Sequence, residues 1–228
     1  GVLTYADVAS LSTSSCATLV RALAELSQKN PWFRSGHSRP RTIGALARPD
    51  MVSEFRAILS NSSSGLGVRS VVVDALALGT PLLAMLRDLQ AVLERQNSPL
   101  AERISALEAL LRLGDPGKVA IWATFDAKLR NSSNDLVLRA NIVWVLYGDP
   151  YGPKDVITLV HAILATDGAV STGILWSLAD ALPPLDLPII LDEIEPPASQ
   201  NAGIDRRTRE AGSFYSRILV RAWPSQGP

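Results

Sequence analysis

Four prolines, Pro81, Pro116, Pro150 and Pro184, follow one another at intervals of 35, 34 and 34 residues. The first three close the related triplets Gly79-Thr80-Pro81, Gly114-Asp115-Pro116 and Gly148-Asp149-Pro150. A second breaker series runs out of phase with it: Asn61-Ser62, Asn97-Ser98, Asn131-Ser132 and Asp167-Gly168, at intervals of 36, 34 and 36. Glycine ends a helix and proline cannot continue one, so each series marks helix boundaries. Two interleaved series of ~34-residue period describe a repeated unit of two helices. One such unit cannot bury its apolar face alone; stacking the units buries it and makes an all-α solenoid. Runs such as Val71-Val72-Val73 would suit a strand in isolation, but the repeat context overrides that preference.

The breakers fix the helices. The first pair is predicted at 49–60 and 66–78, with Asn61 to Gly65 as its turn and Gly79 as the C-cap of its second helix. The second pair covers 81–96 and 98–113, with Leu100, Ile104, Leu107 and Leu111 as a buried stripe. The third covers 116–130 and 134–147, with Leu138, Ile142, Val145 and Leu146 inward. The fourth covers 153–165 and 169–182, a fifth first helix 185–194, and a last helix 206–223. Ahead of the repeats, one of Ser12, Thr13, Ser14 or Ser15 caps a helix to about Lys29, with Leu19, Ala22, Leu23 and Leu26 on its apolar face. A polar stretch from Asn30 to Gly44, rich in Pro, Gly and Arg, reads as a long loop. The organisation expected is a leading segment at 1–48, repeats at 49–197 and a loop and helix at 198–228, forming one continuous domain.

Composition narrows the function more by exclusion than by assignment. Hydrophobic residues make up 47% and charged residues 19%, a globular balance far from disorder. The 22 basic and 22 acidic residues cancel, and a chain that grips phosphate usually carries a basic excess, so nucleic acid is not the favoured partner. A single cysteine, Cys16, excludes an internal disulfide and a thiolate metal cluster, and suits a cytoplasmic setting. No apolar run reaches the ~18 residues of a membrane span, and Gly1-Val2-Leu3-Thr4-Tyr5 has no signal-peptide character. A start at Gly rather than Met suggests a piece of a longer protein or a processed form. The sequons Asn61-Ser62-Ser63 and Asn131-Ser132-Ser133 fall at turns, where Asn and Ser are wanted in any case.

The second helices of the pairs resemble HEAT repeats. An apolar residue and Arg, then Ala-Leu, then a Gly or Gly-Asp end recur as Val68-Arg69…Ala75-Leu76…Gly79, Arg103-Ile104…Ala109-Leu110…Gly114-Asp115 and Leu138-Arg139-Ala140…Gly148-Asp149. The fourth departs, with Ser171-Thr172-Gly173 where the Arg would stand. The resemblance implies a right-handed superhelix. The whole order also resembles the region after the ATPase core of bacterial NACHT-type STAND NTPases. It is carried by Tyr5-Ala6-Asp7-Val8-Ala9-Ser10-Leu11, the helix from Ser14, the variable loop, the HEAT-like pairs, and Ile218-Leu219-Val220-Arg221-Ala222-Trp223. That resemblance places the ATPase outside this chain, which has no phosphate loop of the Gly-x4-Gly-Lys-Ser/Thr type.

Catalytic candidates are few. The two histidines, His37 and His161, form no pair, and no Cys–His or Gly-x-Ser-x-Gly arrangement exists. Asp186, Asp192, Glu193 and Glu195 cluster, which reads as a solvated acidic face before a cation or acid–base site. Arg69, Arg103 and Arg139 recur at 34 and 36; a phosphate-binding ladder competes with bridges between neighbouring repeats, and the bridges are preferred. Trp122, Trp144 and Trp176 could stack on bases as in HEAT-like DNA glycosylases, but buried packing is the expectation. Asp180 reads as a bond between repeats. No catalytic residue, cofactor or metal site is assigned.

The reading is a non-catalytic interaction and sensor scaffold of a larger signalling NTPase, held by a protein partner or by adjoining domains. A HEAT-like nucleic-acid enzyme and a purely structural spacer are the alternatives. The partner surface expected is the loop with Trp32, Phe33, Arg34, Arg39, Arg41 and Arg48, where aromatics adjoin arginines as in an interface anchor. Nothing in the sequence bears on oligomeric state.

Overall fold

The computed structural model describes residues 8–29, 41–61, 64–129, 135–165, 173–194 and 206–223, and it is all-α: no strand occurs among them. The helices are α1 (Thr13–Lys29), α2 (Val52–Ser60), α3 (Leu66–Leu78), α4 (Leu86–Glu94), α5 (Leu100–Arg112), α6 (Asp115–Thr124), α7 (Leu136–Val145), α8 (Pro153–Ala165), α9 (Gly173–Ala181), α10 (Leu187–Glu193) and α11 (Arg206–Ala222). Single 3-10 turns lead into α2, α4 and α10, and another covers Arg41–Leu46. The chain divides into two compact units, Gly1–Thr124 and Phe125–Pro228.

In the first unit, α1, α3 and α5 pack side by side in one layer and α2, α4 and α6 in a second. The layers join through α2 on α3, α4 on α5 and α5 on α6. Helix α3 lies among α1, α2, α5 and the Arg41–Leu46 turn, which explains its composition. Val71, Val72, Val73, Ala75, Leu76 and Ala77 are all buried, and a helix apolar all round is one surrounded by protein. The triple valine that could have been a strand is therefore the core of a helix. In the second unit, α7 packs on α9 and α9 on α11, while α8 packs on α7, α10 and α11. Phe125 starts that unit's core, tilted against Tyr151 with ring centroids 5.0 Å apart.

The glycine breakers lie at or just beyond helix ends. Gly114 and Gly148 take φ of +71° and +93°, the left-handed conformation that glycine adopts without strain. Gly79 caps α3 with extended backbone instead, and it is there for space. A Cβ on it would lie 2.1 Å from the Gly44 carbonyl oxygen and 2.5 Å from the Ala47 Cβ. At the other end of the chain's first helix, Ser12 acts as the cap, its Oγ accepting from the Ser15 amide at 3.2 Å.

Two expected faces are corrected. In α1 the buried positions are Cys16, Val20, Leu23 and Ala24, whereas Ala22 is exposed, Leu26 is half exposed and Leu19 is half-buried. The helix carries two overlapping apolar stripes, and packing against α3 selects the one with smaller side chains. In α5 the inward face is Arg103, Ala106, Leu107 and Leu110. Of the expected stripe only Leu107 is buried; Ile104 and Leu111 are half-buried and Leu100 is 40% exposed. Neighbours on both sides, α3 and α4, turn the helix toward the residues that also place Arg103 and Glu102 inside.

Candidate functional site

Arginines outnumber lysines eighteen to four. Arg69, Arg103 and Arg139 are buried, at 6%, 3% and 6% exposure, so none presents a ladder to solvent. Arg69 reaches forward 33 positions: its Nε and Nη2 donate to Glu102 Oε1 at 3.2 and 3.0 Å. Nη2 also donates to Ser98 Oγ at 3.1 Å. Arg103 Nε donates to the Leu93 carbonyl at 2.9 Å, near the end of α4.

The same device recurs at other helix ends, where carbonyl groups lack intrahelical donors and the macrodipole is negative. Arg95 Nη2 donates to the Leu59 carbonyl at 3.2 Å and Arg112 Nη2 to the Gly79 carbonyl at 2.7 Å. Arg221 holds the Ala179 carbonyl through Nη1 and the Leu182 carbonyl at 2.8 Å through Nη2. Carboxylate pairs add to this. Arg56 Nε donates to Asp88 at 3.3 Å, and Arg217 grips Asp180 with both arms at 2.6 and 3.0 Å. The Arg217 bonds hold the Asp180 carboxyl below its ordinary range. Ser105 Oγ donates to Asp74 at 2.8 Å. Apart from Arg103–Leu93, ten positions apart, these contacts join residues 29 to 42 positions apart, and they commit the guanidinium groups to tying separate helices together.

Arg48 has the same fate. It donates to both Asp50 oxygens, with Nε at 2.9 Å, and its Nη1 donates to the Leu11 carbonyl at 2.7 Å. Asp50 also accepts from Thr13 Oγ1 at 2.5 Å. The Arg48 bond, then the Thr13 bond, hold the Asp50 carboxyl far below its usual range. The cluster ties the leading segment and α1 to the turn before α2. Of the remaining partner candidates, Trp32, Phe33, Arg34 and Arg39 lie outside the described residues; Arg41 opens a 3-10 turn.

The tryptophans depart from expectation. Trp122 on α6, Trp144 on α7 and Trp176 on α9 are 45%, 39% and 45% exposed. Buried packing fails because smaller residues fill the inward positions of these helices: Ala120 and Ile121 on α6, Ala140 and Val143 on α7, Leu175 and Ala179 on α9. Val119 stands beside Trp122 at 63% exposure. Leu185 and Ile189 are also exposed, at 87% and 50%. Sequence reasoning passed over both; the signal was an apolar residue at each of two positions on the solvent side of a short amphipathic helix.

Nothing among the described residues forms a metal site: no group of three His, Cys, Asp or Glu is arranged to hold an ion. His161 is exposed on α8, and Cys16 is fully buried. Within the acidic cluster, Asp186 accepts from the Tyr147 hydroxyl at 2.8 Å; burial and then that bond push the phenol well above its ordinary range. No described helix is long and apolar enough to cross a membrane. No protein-family model matches the chain, and neither a curated protein nor a solved structure does.

Proposed function

We propose that the chain is a non-catalytic interaction module that works by docking other protein surfaces. The observation that carries this reading is the exposure of Trp122, Trp144 and Trp176 on helices whose inward positions are already filled. Indoles held on rigid helices contribute large contact area at small entropic cost and are enriched among interface hot spots. Among the described residues, Arg69, Arg95, Arg103, Arg112, Arg217 and Arg221 are committed to helix ends and carboxylates, which disfavours the glycosylase-like alternative. We further propose that the module is a HEAT-like sensor region of a cytoplasmic, bacterial signalling NTPase of the NACHT and STAND type. The ~34-residue breaker period and the recurrence of inter-repeat bonds at about that spacing support the repeat part of this reading. The stretch with Trp32, Phe33, Arg34, Arg39 and Arg41, read from the sequence, is the second proposed contact.

The test is made in the full-length protein. Trp144→Ser and Trp176→Ser together, and separately deletion of 34–41, are expected to leave the melting temperature within a few degrees. Each is expected to reduce partner-dependent nucleotide hydrolysis at least tenfold. Unchanged hydrolysis in both variants would remove the docking reading.

A further inference from the structure

The outward side of α10 and its leading turn is half apolar and half acidic. Leu185, Pro188, Ile189, Asp192 and Glu193 are all exposed and recur at three and four, while Leu187, Ile190 and Ile194 face the core. Leu185 and Ile189 form the first part of the strip; Asp192 and Glu193 stand in the last turn of the helix. That placement is electrostatically unfavourable, because the C-terminal end of a helix already carries partial negative charge. The other helix ends described above solve the same problem with a guanidinium from a neighbouring element: Arg95 for α2, Arg112 for α3, Arg103 for α4 and Arg221 for α9. Among the described residues no cation bonds to the end of α10, and neither Asp192 nor Glu193 has a hydrogen bond or ion pair there.

We propose that this strip is the docking site for a basic amphipathic helix of a partner protein. Its apolar residues seat on Leu185 and Ile189, and an Arg one to two turns further on meets Asp192, Glu193 and the terminal carbonyls of α10. The partner's guanidinium does for α10 what Arg221 does for α9. Complementary charge selects the occupant and its direction, while the apolar half supplies the buried area. The inference rests on the reading of the chain as an interaction module, and names a different surface and the chemistry of what binds there.

The experiment uses the whole 228-residue chain and a fluorescein-labelled helical peptide. The peptide carries two Leu four positions apart and two Arg one to two turns beyond them; a second peptide has Glu in place of both Arg. Fluorescence anisotropy is expected to show the Arg peptide binding at least tenfold more tightly than the Glu peptide. Its affinity should fall at least tenfold in the double variant Asp192→Lys, Glu193→Lys and at least fivefold in Ile189→Ser, with circular dichroism and melting temperature unchanged. Equal affinity for the two peptides, or affinity untouched by both variants, overturns the proposal. So does self-association of the chain alone, seen by sedimentation velocity and abolished by Asp192→Lys, Glu193→Lys, since the occupant is then a second copy. The readout needs no NTPase, so a failed peptide leaves the result for Trp144 and Trp176 standing, and the converse holds.

Discussion

The Arg69 guanidinium and the Glu102 carboxylate meet at 3.0 Å although 33 positions separate them, and their side chains are only 8% and 0% exposed. The pair ties α3 to α5 inside the first unit, with Ser98 Oγ within 3.1 Å of the same Arg69 nitrogen. Removing one partner leaves the other charge buried without compensation, which costs roughly 3–5 kcal/mol. Glu102→Ala is expected to destabilise the chain by about that amount in urea unfolding followed by circular dichroism. The double replacement Arg69→Met, Glu102→Leu is expected to recover most of the loss, since an apolar pair needs no counter-charge. A Glu102→Ala cost below ~1 kcal/mol would show that the pair is not the clamp described.

Leu107 and Ile142 sit at the centres of their units, at 2% and 0% exposure, whereas Leu100 is 40% exposed on the same helix as Leu107. Truncating either buried residue to Ala should cost about 2–5 kcal/mol. Leu100→Ala should stay within ~0.5 kcal/mol of the parent. Equal costs at 100 and 107 would mean that α5 is turned toward the other stripe.

Gly79 and Gly114 both end helices but for different reasons, and their Ala variants separate those reasons. At Gly79 a methyl group would strike the Gly44 carbonyl, so Gly79→Ala should lose about 1–3 kcal/mol through overpacking. At Gly114 there is open space and φ is +71°, so Gly114→Ala should lose about 1–2 kcal/mol through backbone strain alone. Gly114→Asn, which tolerates that conformation, should recover part of the loss; the close contact at Gly79 admits no such rescue. Thermal melts of the three variants decide it.

Asp50 and Asp180 both have depressed carboxyl pKa values, Asp50 by bonds from Arg48 and Thr13 and Asp180 by Arg217. A depressed folded-state pKa means that the contribution is complete above the unfolded value, about 3.9, and is lost as pH falls through the folded value. Stability should therefore be insensitive to these groups near neutrality and decline below about pH 4. In Asp50→Asn and Asp180→Asn, urea midpoints should drop at pH 6, and the gap to the parent should narrow as pH falls to 2.5. A difference that grows toward low pH would contradict the assignment.

The positions of the helices were legible in the residues because breakers act locally. Helices α3 and α8 begin and end where Gly, Pro and the turn residues put them, at 66–78 and 153–165. The left-handed Gly114 and Gly148 and the core placement of Leu107 and Ile142 follow from the same local rules. The bridging role of Arg69 was also accessible, because a buried charge needs a partner and Glu102 stands about one period away; Asp180 meets Arg217 at a similar separation, whereas Arg103 bonds within its own predicted pair, to the Leu93 carbonyl ten positions before it.

The faces of the helices were not legible in the same way. Helix α1 offers Leu19, Leu23 and Leu26 on one side and Cys16, Val20, Leu23 and Ala24 on another, and both satisfy helical periodicity. Only contact with α3 distinguishes them. Trp122, Trp144 and Trp176 look like core residues by composition, yet Ala120, Ala140 and Ala179 allow neighbouring helices to close before an indole can enter. The exposed strip on α10 follows from the same cause. Where a helix starts and stops is determined by backbone chemistry a few residues long. Which side of it is buried depends on neighbours tens of residues away in sequence, as α3 is from α1, and only the packed layers bring those neighbours into reach.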